Sequence, residues 1–309
     1  MIGQIGRFTL AAALAAAATV GLAGQSWADC DLGDGLYHFD FGGSEYPDCF
    51  RDAKVPPGGK IGPGMDLGGT GHTALNITGS AGAAGATWLT VVDQAPGDPF
   101  QDNIYRSEFL CADVLMQRFN NRKGAGVVTF FNQVDKEGHV VDKKGLALIL
   151  YNAGNTDRLV LATVEGFPAK AGKLAAVKTL PLGGLIRENA WYRVLLTAIV
   201  VPVDDQQPEG AQRVETVTGR VFTHATVGDD LSQRNPNGPI TRVGGILSYA
   251  PDSLHPLPAG VDGEGQNAII GSAIGAVVNA SVTNFTNMVA DCCGGLSVED
   301  CLGGGGTPD

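Results

Sequence analysis

The chain has 309 residues, 44% of them hydrophobic and 17% charged, with a formal net charge of −11 at pH 7. That length and apolar content allow one large domain with a core of its own. The acidity argues against nucleic acid, which needs basic patches to neutralise phosphate, and against adhesion to anionic membranes.

The first 28 residues, "MIGQIGRFTLAAALAAAATVGLAGQSWA", read as a secretory signal. Arg7 gives the positive start, and Phe8 to Gly24 form an Ala-rich apolar run. Ser26-Trp27-Ala28 then place small residues at the −3 and −1 positions of a cleavage site. The run is too short and too weakly hydrophobic for a membrane anchor. Asp29 stands just before Cys30, where a lipoprotein site needs a small residue. Cleavage leaves 281 residues and removes only the charge of Arg7, for a net charge of −12. No later stretch has roughly 18 uninterrupted apolar residues. The mature chain is therefore expected to be secreted, periplasmic or extracellular, with no membrane insertion after signal removal.

Residues 29–66 follow as an irregular Gly/Pro-rich opening segment, "CDLGDGLYHFDFGGSEYPDCFRDAKVPPGGKIGPG" at its heart. From residue 67 to residue 286 the chain changes character. Short runs rich in Val, Ile, Leu, Thr and aromatics alternate with Gly/Asn/Asp/Pro turns, as in an all-β protein. Leu110 to Phe119 and Trp191 to Val203 are apolar on both faces, which predicts strands covered on both sides. "KGLALILYNAGNTDRLVLATVEG" predicts two neighbouring strands joined by a polar turn around Gly154. "AIIGSAIGAVVNA" has apolar residues at helical spacing, but its glycines and β-branched residues favour strand. "AKAGKLAAVKTL" is the one weak helix candidate. Residues 287–309 form a Cys/Gly-rich tail ending in "LGGGGTPD".

Six cysteines remain after cleavage: Cys30, Cys49, Cys111, Cys292, Cys293 and Cys301. An even count in an oxidising compartment invites disulfides, and spacing alone does not choose the pairs. A zinc site is disfavoured, since there is no CxxC and no histidine near either cysteine group. Cys111 lies in a strand-like run and reads as a buried free thiol.

"ENAWYRVLLTAIV", "VTGRVFTH" and "SVTNFT", with "QRFNNRKGAGVVTFFN" upstream, carry a family resemblance. The tryptophan opening a strand, followed by Tyr192, Arg193 and Val194, is similar to a strand of laminin-G-like domains. From about Ala74 to Thr286 the chain resembles a bacterial secreted protein of the concanavalin A-like lectin/glucanase superfamily. The resemblance implies a jelly-roll sandwich of two antiparallel sheets, with cysteine-bearing irregular extensions at both ends. It also implies that the first and last strands lie side by side, so that cysteines could staple the termini. The pairs expected on that basis are Cys30 with Cys49, and Cys301 with Cys292 or Cys293.

That superfamily holds binders, hydrolases and lyases alike. Its glucanases resemble one another in a strand carrying Glu-x-Asp and a further Glu, which sets acid and nucleophile on one face. No such run occurs here, and the acids lie mostly in turns such as "VDDQQPEG". "YRSEFL" matches part of an alginate-lyase strand, but the partner motifs "Q-[IV]-H" and "Y-x-K-x-G-x-Y" are absent. Arg106 and Glu108 there read as a structural pair. His38, His72, His139, His224 and His255 are scattered, and His224 reads as a strand-end residue near Asp229 and Asp230. Serine-hydrolase, phosphate-loop and dinucleotide motifs are absent. The sequons at Asn76, Asn279 and Asn284 read as incidental.

The sequence thus predicts a secreted non-catalytic module for extracellular polysaccharide or glycoprotein. The alternatives are a structural or surface-associated sandwich without a small ligand, and a polysaccharide-active hydrolase or lyase. No catalytic residues are assigned. The "NAGNTD" turn is read first as scaffold. Its Asn152, Asn155 and Asp157 are the candidate oxygen ligands for sugar hydroxyls or for calcium.

Overall fold

A computed structural model describes residues 107–117, 119, 122–131, 144–154, 156–165, 173–202, 212–235, 237–251, 273–279, 281–291 and 298–302, with four short strands nearer the N-terminus. Those four are β1 (Leu36–Phe39), β2 (Lys60–Pro63), β3 (Leu75–Thr78) and β4 (Ala86–Val91). The long strands follow: β5 (Ser107–Met116), β6 (Gly124–Phe131), β7 (Lys144–Asn152), β8 (Asp157–Glu165), β9 (Lys173–Pro181), β10 (Trp191–Pro202) and β11 (Gln212–His224). Four short ones come next, β12 (Thr226–Val227), β13 (Asp230–Arg234), β14 (Ile240–Arg242) and β15 (Leu247–Tyr249). The chain then forms β16 (Ala273–Asn279), β17 (Val282–Asp291) and the short helix α1 (Val298–Leu302).

The strands make a β-sandwich of two antiparallel sheets. The first sheet runs β14-β11-β10-β5-β17-β3-β2, with β1 also on β17 and β15 on β11. The second runs β4-β16-β6-β7-β8-β9, and β12 and β13 form a separate hairpin. β1 pairs with β17 from Leu36 opposite Asp291, so the first and last strands are neighbours.

Strand alternation decides what each residue covers. On β5, Leu110, Ala112, Val114 and Met116 point between the sheets, as do Tyr192, Val194, Leu196 and Ala198 on β10. They meet Leu146, Leu148 and Leu150 of β7 and Leu159 and Leu161 of β8. Leu110, Leu115, Met116, Trp191 and Phe285 are among the largest side chains wholly removed from water. Each such burial contributes roughly 1.5–3 kcal/mol. Gly219 of β11 marks a close approach between the sheets, since a Cβ there would lie 2.5 Å from Leu148 Cδ1.

Phe109, Cys111, Asp113 and Leu115 of β5 and Trp191, Arg193 and Leu195 of β10 face away from the second sheet and are buried as well, whereas Ile199 of β10 is exposed. Phe109, Cys111 and Leu195 pack with Phe222 and Cys301, and Leu115 packs with Trp191. β5 and the first part of β10 are thus covered on both faces, as their apolar patterns predicted, while β10 is open on its outer face at Ile199. The outer cover includes α1, whose Val298 and Leu302 rest against the first of these groups.

Four expectations change. The opening segment contributes two strands to the first sheet, since β1 pairs with β17 and β2 with β3. β17 also runs past residue 286 to Asp291, where it continues to pair with β5. "AKAGKLAAVKTL" forms strand rather than helix within its described part, because β9 adds to β8 at the sheet's end and tertiary pairing overrides a weak local preference. The tail contains the single helical turn of α1, tied down through its apolar side.

Candidate functional site

β7 and β8 pair in register from Lys144 opposite Glu165 to Asn152 opposite Asp157, so "NAGNTD" is the expected turn. Gly154 sits there at φ 101°, a left-handed conformation that glycine adopts without steric cost. Asn152 Oδ1 accepts from Gly154 N at 2.9 Å, and Asn152 Nδ2 donates to Asp157 Oδ1 at 3.1 Å. Asp157 is buried, and its Oδ2 accepts from Ile186 N at 3.0 Å. Leu182 N donates to the Asp157 carbonyl at 2.8 Å. The Asn152 and Asp157 side chains therefore clasp the turn to itself and to the β9–β10 loop. Asn155 lies outside the described residues.

The principal cluster of charged side chains lies elsewhere, on the outer face of the first sheet. Asp113 of β5 and Arg193 of β10 are direct cross-strand partners. Arg193 Nε donates to Asp113 Oδ1 at 2.7 Å, and Nη2 donates to Oδ2 at 2.9 Å. Phe222 is Arg193's partner on the other side, and His224 stands two residues further along the same face of β11. The His224 ring reaches Asp113 Oδ1 through Nε2 at 2.7 Å. The β12–β13 hairpin folds over and brings Arg234 Nη1 onto Asp113 Oδ2. The hairpin is fixed by Trp191, whose Nε1 donates to Ser232 O at 2.8 Å. At its turn, Asp230 Oδ1 accepts from Ser232 N at 2.9 Å. From the other side, α1 presents the Cys301 carbonyl to Arg193 Nη1.

Asp113 is wholly buried, and Arg193 and His224 are nearly so. Burial alone would raise the Asp113 carboxyl. The charges of Arg193 and His224 and their hydrogen bonds outweigh it and hold the group well below the usual carboxylate range. Arg193 is likewise held in its charged form, with Asp113 overcoming the effect of burial. A carboxylate so fully ionised makes a poor proton acceptor at neutral pH. Its oxygens are already taken by Arg193, His224 and Arg234. The arrangement binds three strands, a hairpin and a helix to one point.

The sequence reading named His224 as a strand-end residue, but its partner is Asp113 rather than the adjacent Asp229 or Asp230. Asp113 and Arg234 were missed. The signal for Asp113 was a lone carboxylate inside the apolar run of β5, which has to be paired if buried. Arg106 and the Glu108 side chain lie outside the described residues, as do Cys30, Cys49, Cys292 and Cys293. Cys111 is a buried free thiol, as expected. Cys301 is also a buried free thiol, packed with Cys111. Cys292 and Cys293, the expected partners of Cys301, are outside the described residues, and α1 turns the Cys301 side chain into the apolar cluster against the sheet. Among the described residues, no group of three or more His, Cys, Asp or Glu is placed to hold a metal ion. No described helix is long and apolar enough to cross a membrane.

No protein-family model matches the chain, and no curated protein matches it significantly in sequence. Solved structures do show likeness. A carbohydrate-binding module from Bacillus subtilis aligns at 9% identity and TM-score 0.32, over 77% of this chain and 96% of its own. An engineered glycoside hydrolase with endo-xylanase and exo-arabinofuranosidase activity aligns at 13% identity and TM-score 0.40, over 84% of this chain and 41% of its own. An endo-β-1,4-glucuronan lyase from the fungus Trichoderma reesei aligns at 10% identity and TM-score 0.35, over 80% and 93%. The sandwich assignment rests on the strand pairing above and not on these low-scoring likenesses.

Proposed function

We propose that the chain is exported and acts as a non-catalytic module that binds extracellular glycan, either polysaccharide or glycoprotein. The observation that carries the non-catalytic part is the saturation of Asp113. The one described carboxylate with several charged partners spends its oxygens on Arg193, His224 and Arg234, out of reach of solvent. A general acid or base needs an accessible group with a free position and a pKa near the working pH. The glycan part is supported by the sequence resemblance to concanavalin A-like lectins and glucanases, whose two-sheet plan agrees with the architecture here. No cofactor is assigned, and calcium enters only as a condition of the binding test.

A second reading, a structural sandwich without small ligand, is favoured by a different observation. Phe109, Phe119, Trp191, Tyr192, Phe222, Tyr249 and Phe285 are buried, and Tyr151 is half-buried. None of those buried rings offers the exposed face on which a sugar stacks. Thermal unfolding of the mature chain against a panel of polysaccharides, with calcium and with EDTA, separates the two. A ligand that binds only the native state raises Tm. A rise with one glycan supports the module, and no rise with any supports the structural reading.

A further inference from the structure

Cys111 on β5 and Cys301 on α1 meet in the apolar cluster outside the first sheet, with Phe109, Leu195 and Phe222 around them. Both are free thiols, 1% and 3% exposed. Their side chains belong to one small buried cluster. The helix is fixed at this spot, because the Cys301 carbonyl accepts from Arg193 Nη1. Two thiols buried in one small cluster, on elements far apart in sequence, are placed to be joined. We propose that Cys111 and Cys301 form a disulfide in the mature protein and staple α1 to the sheet beside the Asp113 cluster. This rests on the export reading, since such bonds persist in oxidising compartments.

The step is a thiol–disulfide exchange with an oxidised glutathione-type or dithiol-oxidase disulfide. One S–S bond breaks in the oxidant and one forms between Cys111 and Cys301. Two electrons pass to the oxidant, and its two sulfurs leave as thiols carrying the two protons. Exchange requires a thiolate. In the folded protein, burial pushes the Cys301 thiol up, and the Cys111 side chain adds to the effect. The native Cys301 thiol is therefore slow to react. The bond forms as α1 docks, and the docked helix then shields it from reductant.

The test refolds the reduced mature chain in a glutathione redox buffer. The product is unfolded in iodoacetamide without reductant, digested and mapped by mass spectrometry. The expected result is a joined pair of peptides bearing Cys111 and Cys301, two hydrogens lighter than their sum. Alkylation of both cysteines overturns the staple, as does a Cys301 peptide joined to Cys292 or Cys293. A parallel map of the chain isolated from the producing cell reads the export proposal separately. Six free thiols there, with the bond present after refolding, would remove the export reading and with it the staple in the cell. The joined peptides in both samples support staple and export together.

Discussion

Asp113 and Arg193 face each other in register across β5 and β10, and the guanidinium meets the carboxylate through two parallel hydrogen bonds of 2.7 and 2.9 Å. Paired forks of this kind are stronger and more directional than single contacts. His224 and Arg234 add to the same carboxylate from β11 and β13. One buried anion therefore holds together side chains from three other elements.

Removing that anion should be costly. Asp113→Asn leaves two guanidinium groups facing each other with no neutralising partner. Breaking a buried pair by deleting one member typically costs about 3–5 kcal/mol. Urea unfolding should show a loss of that order. Glycan binding by the fraction that remains folded should be unchanged, because the cluster is a brace and not a binding surface.

The pairing also fixes a pH dependence. The folded-state pKa of Asp113 lies well below its ordinary value of 3.8. The stabilisation is therefore fully present above that ordinary value, and is lost as pH falls through the folded value. The urea midpoint of the wild type should drop as the solution is taken below 3.8. In Asp113→Asn the part of that slope due to this group should be missing.

The β7–β8 turn offers a smaller effect. Asp157→Ala removes the acceptor of Ile186 N in a buried setting and of Asn152 Nδ2. A hydrogen bond to a charged group contributes roughly 1.5–3 kcal/mol. Chemical denaturation should show a loss in that range, and Asn152→Ala a smaller one of about 1 kcal/mol. Any rise in Tm caused by calcium should survive in both variants, since these oxygens are engaged within the protein.

Between the sheets, Gly219→Val should destabilise by about 1–3 kcal/mol, as overpacking of a filled core does. The added carbon would meet the Leu148 side chain of the opposite sheet at once. A double variant that also shortens the neighbour, Leu148→Ala, should recover part of the loss. Equilibrium unfolding of the four proteins in the cycle measures that coupling.

Much of the fold was legible because burial imposes a pattern. β5 and the first part of β10 announced themselves as covered on both faces, and Leu146–Tyr151 and Leu159–Val164 as a hairpin around Gly154. The short strands of the opening segment were not legible. "LYHF" and "KIGP" are strands because β17 and β3 offer them an edge, and nothing local distinguishes them from loop. "KLAAVKTLP" became a strand for the same reason, against its composition. The charged cluster was hidden because its members stand at 113, 193, 224 and 234, and only strand register brings them together. Arg193 was visible in the sequence only as part of a family-like strand. The glycine of "VTGRVFTH" likewise gave no hint that the opposite sheet passes so close to it.

The most direct test of the account is to ask whether a glycan is held without being changed. The mature chain would be titrated calorimetrically with whichever polysaccharide raises its Tm, and the contents of the cell would then be separated by chromatography. The account predicts saturable binding, with the polysaccharide recovered at its original length and with no new reducing or unsaturated ends. Shortened chains that accumulate with time and with protein concentration would contradict it, and would place a working acid or base beyond the saturated Asp113 cluster.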